Sequence, residues 1–167
     1  MRSLLILLLG SSMTVAASPC SVIPNAAIER TLGEKVSNAK PVSQMTGELR
    51  YAQCFYSLPT FTNSISVSVV TPGPTDRHHD AAREFWERRF HNDHGDGDGG
   101  EEQEAGAKAV PISNLGDEAF WVHSFVGNLY VLKSNTFLRI SIGGKLTDEE
   151  RQRRAKALAI AALKNLH

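Results

Sequence analysis

The sequence predicts an α+β fold: an antiparallel sheet of about five strands packed with three helices. Three observations carry that expectation. Apolar residues alternate strictly with serines in "NSISVSVVTP", the pattern of a half-buried strand. Elsewhere apolar residues recur every three to four positions, the pattern of a helix with one buried face. In chain order the two patterns run helix, two strands, helix, three strands, helix.

The first seventeen residues stand apart. "MRSLLILLLGSSMTVAASPC" has one positive charge at Arg2, an apolar run from Leu4 to Leu9 and small residues to Ser18, the layout of a secretory signal peptide. Val15 and Ala17 place the cut after Ala17, so residues 1–17 are expected to leave and residues 18–167 to form a single α+β domain. Pro19 beside Cys20, and Ala17 where lipoprotein signals favour leucine, argue against lipidation at Cys20. No later apolar run is long enough to span a membrane, so a secreted, periplasmic protein with no transmembrane segment in the mature chain is expected.

An even pair of cysteines, Cys20 and Cys54, in a chain sent to an oxidising compartment reads first as a disulfide. Closing a loop of that size stabilises a fold by roughly 4 kcal/mol on the chain-entropy argument. A catalytic thiol is the alternative, but no CxxC arrangement is present to build a redox centre.

Each element then follows in order. "PNAAIERTLG" sets Ala27, Ile28 and Leu32 on one side and ends at Gly33, a short helix with a glycine cap. "RYAQCFYSL" and "NSISVSVVTP" are the first two strands, the second ended by Pro72 and Pro74. "TDRHHDAAREFWERRFH" spaces Ala82, Phe85, Trp86 and Phe90 helically, with Thr75 or Asp76 as the expected cap. A flexible acidic, glycine-rich insertion, residues 91–106, follows. In "DEAFWVHSFVGNLYVLKSNTFLRISIGG" the turn pairs Gly127-Asn128 and Ser134-Asn135 separate three antiparallel strands. Leu138, Ile140 and Ile142 face inward there, and Arg139 and Ser141 outward. "LTDEERQRRAKALAIAALKNLH" opens with the capping box Thr147/Glu150 and carries an apolar stripe through Ala155, Leu158, Ala159, Ala162 and Leu166, a helix of about five turns.

Taken together, the leader, "CSVIPNAAIERTLGEKV" running to a second cysteine in "YAQCFYS", then "ISNLGDEAFW", paired strands, "LRISIGG" and an alanine-rich last helix resemble small secreted or lipid-anchored bacterial envelope proteins of uncharacterised function. Their plan is similar to the PsbP/Mog1-like α/β sandwich. The resemblance implies a Cys20–Cys54 disulfide and a surface used for binding rather than chemistry; Pro19 departs from the lipid-anchored members.

The insertion is the densest cluster of ligand-type side chains in the sequence. An EF-hand frame from Asn92 puts Gln103 where the bidentate glutamate belongs and fails there. A transition-metal site built on His91, His94 and Asp96, with His78 or His79 joining from the preceding helix, is the candidate metal centre. The glycines around it raise the entropy cost of fixing such a site, so a solvated loop is the competing expectation. The insertion holds six acidic residues and no lysine or arginine, leaving a basic excess in the remainder, with Arg83, Arg88, Arg89, Arg151, Arg153 and Arg154 expected on solvated helix faces. That excess is not concentrated and interleaved with aromatics, so nucleic acid is excluded as a partner.

There is no G-x-S-x-G elbow and no H-E-x-x-H helix, no cofactor is expected, and Asp117 and Glu118 are adjacent and point to opposite faces. The binding candidates are Trp121, His123 and Phe125, which share a strand face. They are core if helices cover both faces, and an aromatic patch if one face is open. The expectation is therefore a binding or structural module of the cell envelope without catalytic activity, its partner an envelope protein or a small ligand. A metal-handling protein using the His/Asp-rich loop, or an envelope enzyme of unrecognised type, are the alternatives.

Overall fold

The computed structural model describes residues 18–91 and 108–166. The proposed leader, and the insertion beyond His91 with His94 and Asp96, lie outside them. Over the described residues the fold is α+β, a seven-stranded antiparallel sheet with three helices. The helices are α1 (Asn25–Leu32), α2 (Ala81–Phe90) and α3 (Asp148–Leu163); the strands are β1 (Asn38–Thr46), β2 (Leu49–Ser57), β3 (Ile65–Pro72), β4 (Ala109–Pro111), β5 (Glu118–Val122), β6 (Asn128–Lys133) and β7 (Thr136–Ile142). In space the order is β1-β2-β3-β7-β6-β5-β4, every neighbouring pair antiparallel. No helix among the described residues is long and apolar enough to cross a membrane.

Seven strands rather than about five is a correction with a physical cause. The extra two, β1 and β4, are the edges. An edge strand buries little, so β1 ("NAKPVSQMT") shows no alternation of apolar residues and almost all of it is exposed. β4 is three residues long and ends in Pro111.

The sheet separates two cores. On one side Ile65, Val67, Leu138, Ile140 and Ile142 meet Ile28 of α1 and Ala155, Leu158, Ala159 and Ala162 of α3. On the other, Val70, Val122, Tyr130, Leu132 and Phe137 meet Ala81, Ala82 and Trp86 of α2. Phe85 stacks on Phe137 and Phe90 on Phe120, with ring centres 5.5 and 4.6 Å apart, offset contacts worth about 1 kcal/mol each beyond burial.

The first core is closed at its rim by a disulfide between Cys20 and Cys54, whose Cα atoms are 5.0 Å apart. Cys20 sits in a 3-10 turn (Pro19–Ser21) and Cys54 in β2, so the bond ties the start of the described chain to an interior strand. Tyr56 Oη donates to the Cys20 carbonyl at 3.0 Å and Asn165 Nδ2 to that of Val22 at 3.1 Å, which bring β2 and the far end of the chain to the same corner.

Local signals act where the sequence puts them in α1 and α3. Gly33 takes φ 79° and its N–H reaches the Glu29 carbonyl at 2.8 Å, an αL cap that a side chain would strain. Thr147 Oγ1 accepts from the Glu150 N–H at 3.2 Å, opening α3. One expectation fails here: Arg151 is not on a solvated face. It is buried, donating from Nε to the Ile142 carbonyl (3.0 Å) and from Nη2 to that of Gly144 (2.9 Å), and so caps the end of β7.

α2 starts later than its pattern suggests. Asp76 does not cap a helix beginning beside it. Its carboxylate, in a residue only 3% exposed, accepts from the backbone N–H groups of His78 (3.0 Å), His79 (2.9 Å) and Ala81 (2.9 Å), holding a loop in which His79 has φ 59°. The bond from Ala81, reinforced by those from His78 and His79, holds the Asp76 carboxyl below its ordinary range against the opposing effect of burial. A depressed folded pKa contributes stability that is present above the ordinary value of 3.8 and is lost as pH falls through the folded value. Asp76→Ala is therefore expected to lower the melting temperature by several degrees at neutral pH and to shrink the acid dependence of stability between pH 5 and 3. Thermal melts across that range check it; parallel curves for the two proteins would show that the carboxylate does not anchor the loop.

Candidate functional site

Each face of the sheet carries one histidine that shares a carboxylate with a tryptophan. On the α2 side Glu118 Oε2 accepts from Trp86 Nε1 and lies 2.8 Å from His91 Nε2. On the other side Asp148 accepts from Trp121 Nε1 at 3.1 Å and lies 3.0 Å from His123 Nδ1. A buried indole needs an acceptor for its N–H, and in both places a carboxylate at the rim supplies it.

This settles where the sequence candidates lie. Trp121 is in the α1/α3 core, 1% exposed, His123 is half-exposed at the rim, and Phe125 is wholly exposed on the β5–β6 loop. The three form no common surface because α3 covers the indole. Gly127, at φ 63°, turns that loop against the indole, where a Cβ would come within 2.3 Å of the ring. Asp117 is held at the β6–β7 hairpin, accepting from Ser134 N–H at 2.6 Å and pairing with Lys133 at 3.1 Å. His91 is engaged with Glu118, and among the described residues no three His, Cys, Asp or Glu side chains converge to hold a metal.

What the sequence did not single out is a groove of about 170 Å³ beside α2. The helix packs on Phe120 of β5, Tyr130 of β6 and Phe137 of β7 and reaches Val70 near the end of β3; among the described residues no helix covers β1, β2 and the first part of β3 on that face. Register builds the floor as a row, with Val42 opposite Gln53, Gln53 opposite Ser68, Ser68 opposite Arg139 and Arg139 opposite Tyr130. Phe85, stacked on buried Phe137, and Arg89 of α2 form the wall, and Tyr51 supplies further aromatic surface.

The polar groups of the groove are held by neighbouring side chains. Buried Asn128 accepts at Oδ1 from Arg139 Nε at 3.1 Å and from Ser141 Oγ, while its Nδ2 donates to Ser124 Oγ at 3.3 Å. The Arg89 guanidinium lies over the Tyr130 ring at 4.8 Å and donates from Nη2 to its hydroxyl at 3.1 Å. No carboxylate among the described residues lies within 4.0 Å of either guanidinium.

A second cavity, about 430 Å³, opens on the α1/α3 side by Leu32, Asn63, Gly143, Lys145 and Arg154. Of its charged and amide groups Arg154 is committed to Glu150 and Asn63 to Glu34, which leaves Lys145, and no aromatic ring lines it. The groove beside α2 is thus the better-formed candidate site. Its signal in the sequence was the outward position of Arg139 and the serines of β3, but nothing there brings β1, β6 and α2 together.

The His91–Glu118 pair gives a pH signature. The hydrogen bond to Glu118 raises the His91 pKa above 6.5, with burial opposing. For Glu118 burial alone would raise the pKa, but the bonds from His91 and Trp86 outweigh it and hold the carboxyl below 4.5. The stabilisation from His91 is full below 6.5 and is lost as pH rises through its folded value; that from Glu118 is full above 4.5 and is lost as pH falls through its own. The pair contributes most between those limits, and both side chains are over a third exposed, so its worth is below about 1 kcal/mol. In Glu118→Gln the His91 ring is expected to titrate lower than in the parent, by NMR. A parent His91 titrating at or below the ordinary value would mean that the pair does not form.

Neither a family model, nor a curated protein, nor a solved structure matches this chain.

Proposed function

We propose that this protein is a binding module of the bacterial cell envelope that recognises its ligand in the groove beside α2 and does not turn it over. The observation that carries the proposal is the half-covered sheet face: one helix shields the aromatic end, and the open end presents Gln53, Ser68 and Arg139 in one row against the Tyr130 ring. Concave sites mixing aromatic walls with a few fixed polar groups are the usual form of a small-ligand site. The two histidine–carboxylate pairs are spent on tryptophan N–H groups at the rims of the cores, which favours binding over acid–base catalysis.

Export belongs to the same proposal. It rests on the signal-like first seventeen residues and on a disulfide of the kind that persists in oxidising compartments. We further propose that the chain is a PsbP/Mog1-like sandwich, a reading that rests on the sequence resemblance and the helices on both sheet faces. N-terminal sequencing of the protein recovered from the periplasm of an expressing bacterium is expected to begin at Ser18; recovery only from the cytoplasm with Met1 in place would refute export.

The groove is tested by filling it. A ligand from a periplasmic small-molecule fraction is expected to raise the melting temperature of the parent protein, since binding to the native state alone stabilises it. The shift is expected to vanish in Ser68→Trp and Gln53→Trp, each first shown to fold by circular dichroism. An equal shift in parent and variants would move the binding site elsewhere.

A further inference from the structure

We infer that the groove takes a small organic anion, a carboxylate or phosphate on a planar stem, held between the guanidinium groups of Arg89 and Arg139. The inference rests on the proposed binding role of that groove and specifies its ligand.

Charge is the first argument. Both guanidinium carbons lie within 6.0 Å of the centre of the Tyr130 ring, and no described carboxylate lies within 4.0 Å of either. By contrast Arg88 pairs with Glu84, Arg154 with Glu150, and Arg151 donates to two backbone carbonyls. Two like charges sharing one ring repel, and an anion between them relieves that repulsion while accepting from both.

Pre-organisation is the second. Arg139 spends only Nε on Asn128, leaving its two terminal amino groups for a ligand, and the buried amide fixes the plane of the guanidinium. Arg89 is fixed by its bond and its stacking on Tyr130. A guanidinium held in this way binds a two-oxygen acceptor with little loss of side-chain freedom. Asn128 is a positioning residue here.

Shape and size complete the argument. The half-buried rings of Phe85 and Tyr51 line the groove over the buried Phe137 and Tyr130, so a flat stem has aromatic surface to lie against. About 170 Å³ is smaller than the roughly 300 Å³ at which pockets for drug-sized molecules begin, which limits the occupant to a headgroup or a single ring.

The test is an NMR titration of isotope-labelled mature protein, disulfide intact, at low ionic strength. The probes are benzoate, phenyl phosphate and their neutral counterparts benzamide and benzyl alcohol, with inorganic sulfate alongside. Benzoate or phenyl phosphate is expected to shift the amide signals of Gln53, Ser68, Tyr130 and Arg139, and comparison of the two distinguishes carboxylate from phosphate. Arg89→Gln and Arg139→Gln are each expected to weaken binding about tenfold, and Arg139→Lys, which keeps charge but not the fork, to weaken it measurably. Neutral probes binding as well as the anions, at the same residues, would overturn the anion inference and leave the groove reading standing. Sulfate matching the aromatic anions would show an adventitious ion only. No shift at the groove with any probe would overturn both.

Discussion

The alternation of side chains along β3 and β7 is the constraint on which this fold rests. These two central strands pair Ile65 with Ile142, Val67 with Ile140 and Val69 with Leu138 on one face, and Ser66 with Ser141, Ser68 with Arg139 and Val70 with Phe137 on the other. A slip of one residue would exchange the sets, carrying Arg139 into the α1/α3 core and three branched apolar residues into water. The same pairing that secures the core therefore also decides which residues floor the groove. Stability and recognition are two readings of one register.

The two faces are finished differently. α1 and α3 together cover the apolar face from β2 to β6, and Arg151 turns inward to close the end of β7. Among the described residues the opposite face has a single helix, of ten residues, too short to shield seven strands. What it leaves bare is polar enough to tolerate water. At the rims of both cores the indole of a large buried tryptophan is satisfied by an acid from a neighbouring element, Glu118 of β5 for Trp86 and Asp148 of α3 for Trp121. Each bond links a helix to the sheet and removes the cost of an unpaired indole N–H.

Much of this was legible in the sequence because it depends on short periods. The alternation of β3 and β7, the glycine stop of α1 and the capping box of α3 are each encoded within ten or so neighbouring residues. β1 was illegible because an exposed edge leaves no apolar signature, and the start of α2 because Asp76 reaches across five positions to hold the Ala81 N–H. The groove was hidden for a deeper reason. Arg89 read as one of several helix-face cations and Arg139 as an outward residue of a strand; only the order of strands in space brings both to the Tyr130 ring. Trp121 shows the same limit in reverse, since the alternation placed it on a face but gave no sign that α3 lies over that face.

The two outer strands each contain a proline, Pro41 in the middle of β1 and Pro111 at the end of β4. A proline is accommodated in a rim strand where its nitrogen faces away from the partner, so each free rim lacks a donor that an incoming strand would need. Lys40 beside Pro41 adds a charge to that rim. Each proline removes one backbone donor from its rim, and so disfavours the addition of a further strand, from this or another chain, at either side of the sheet.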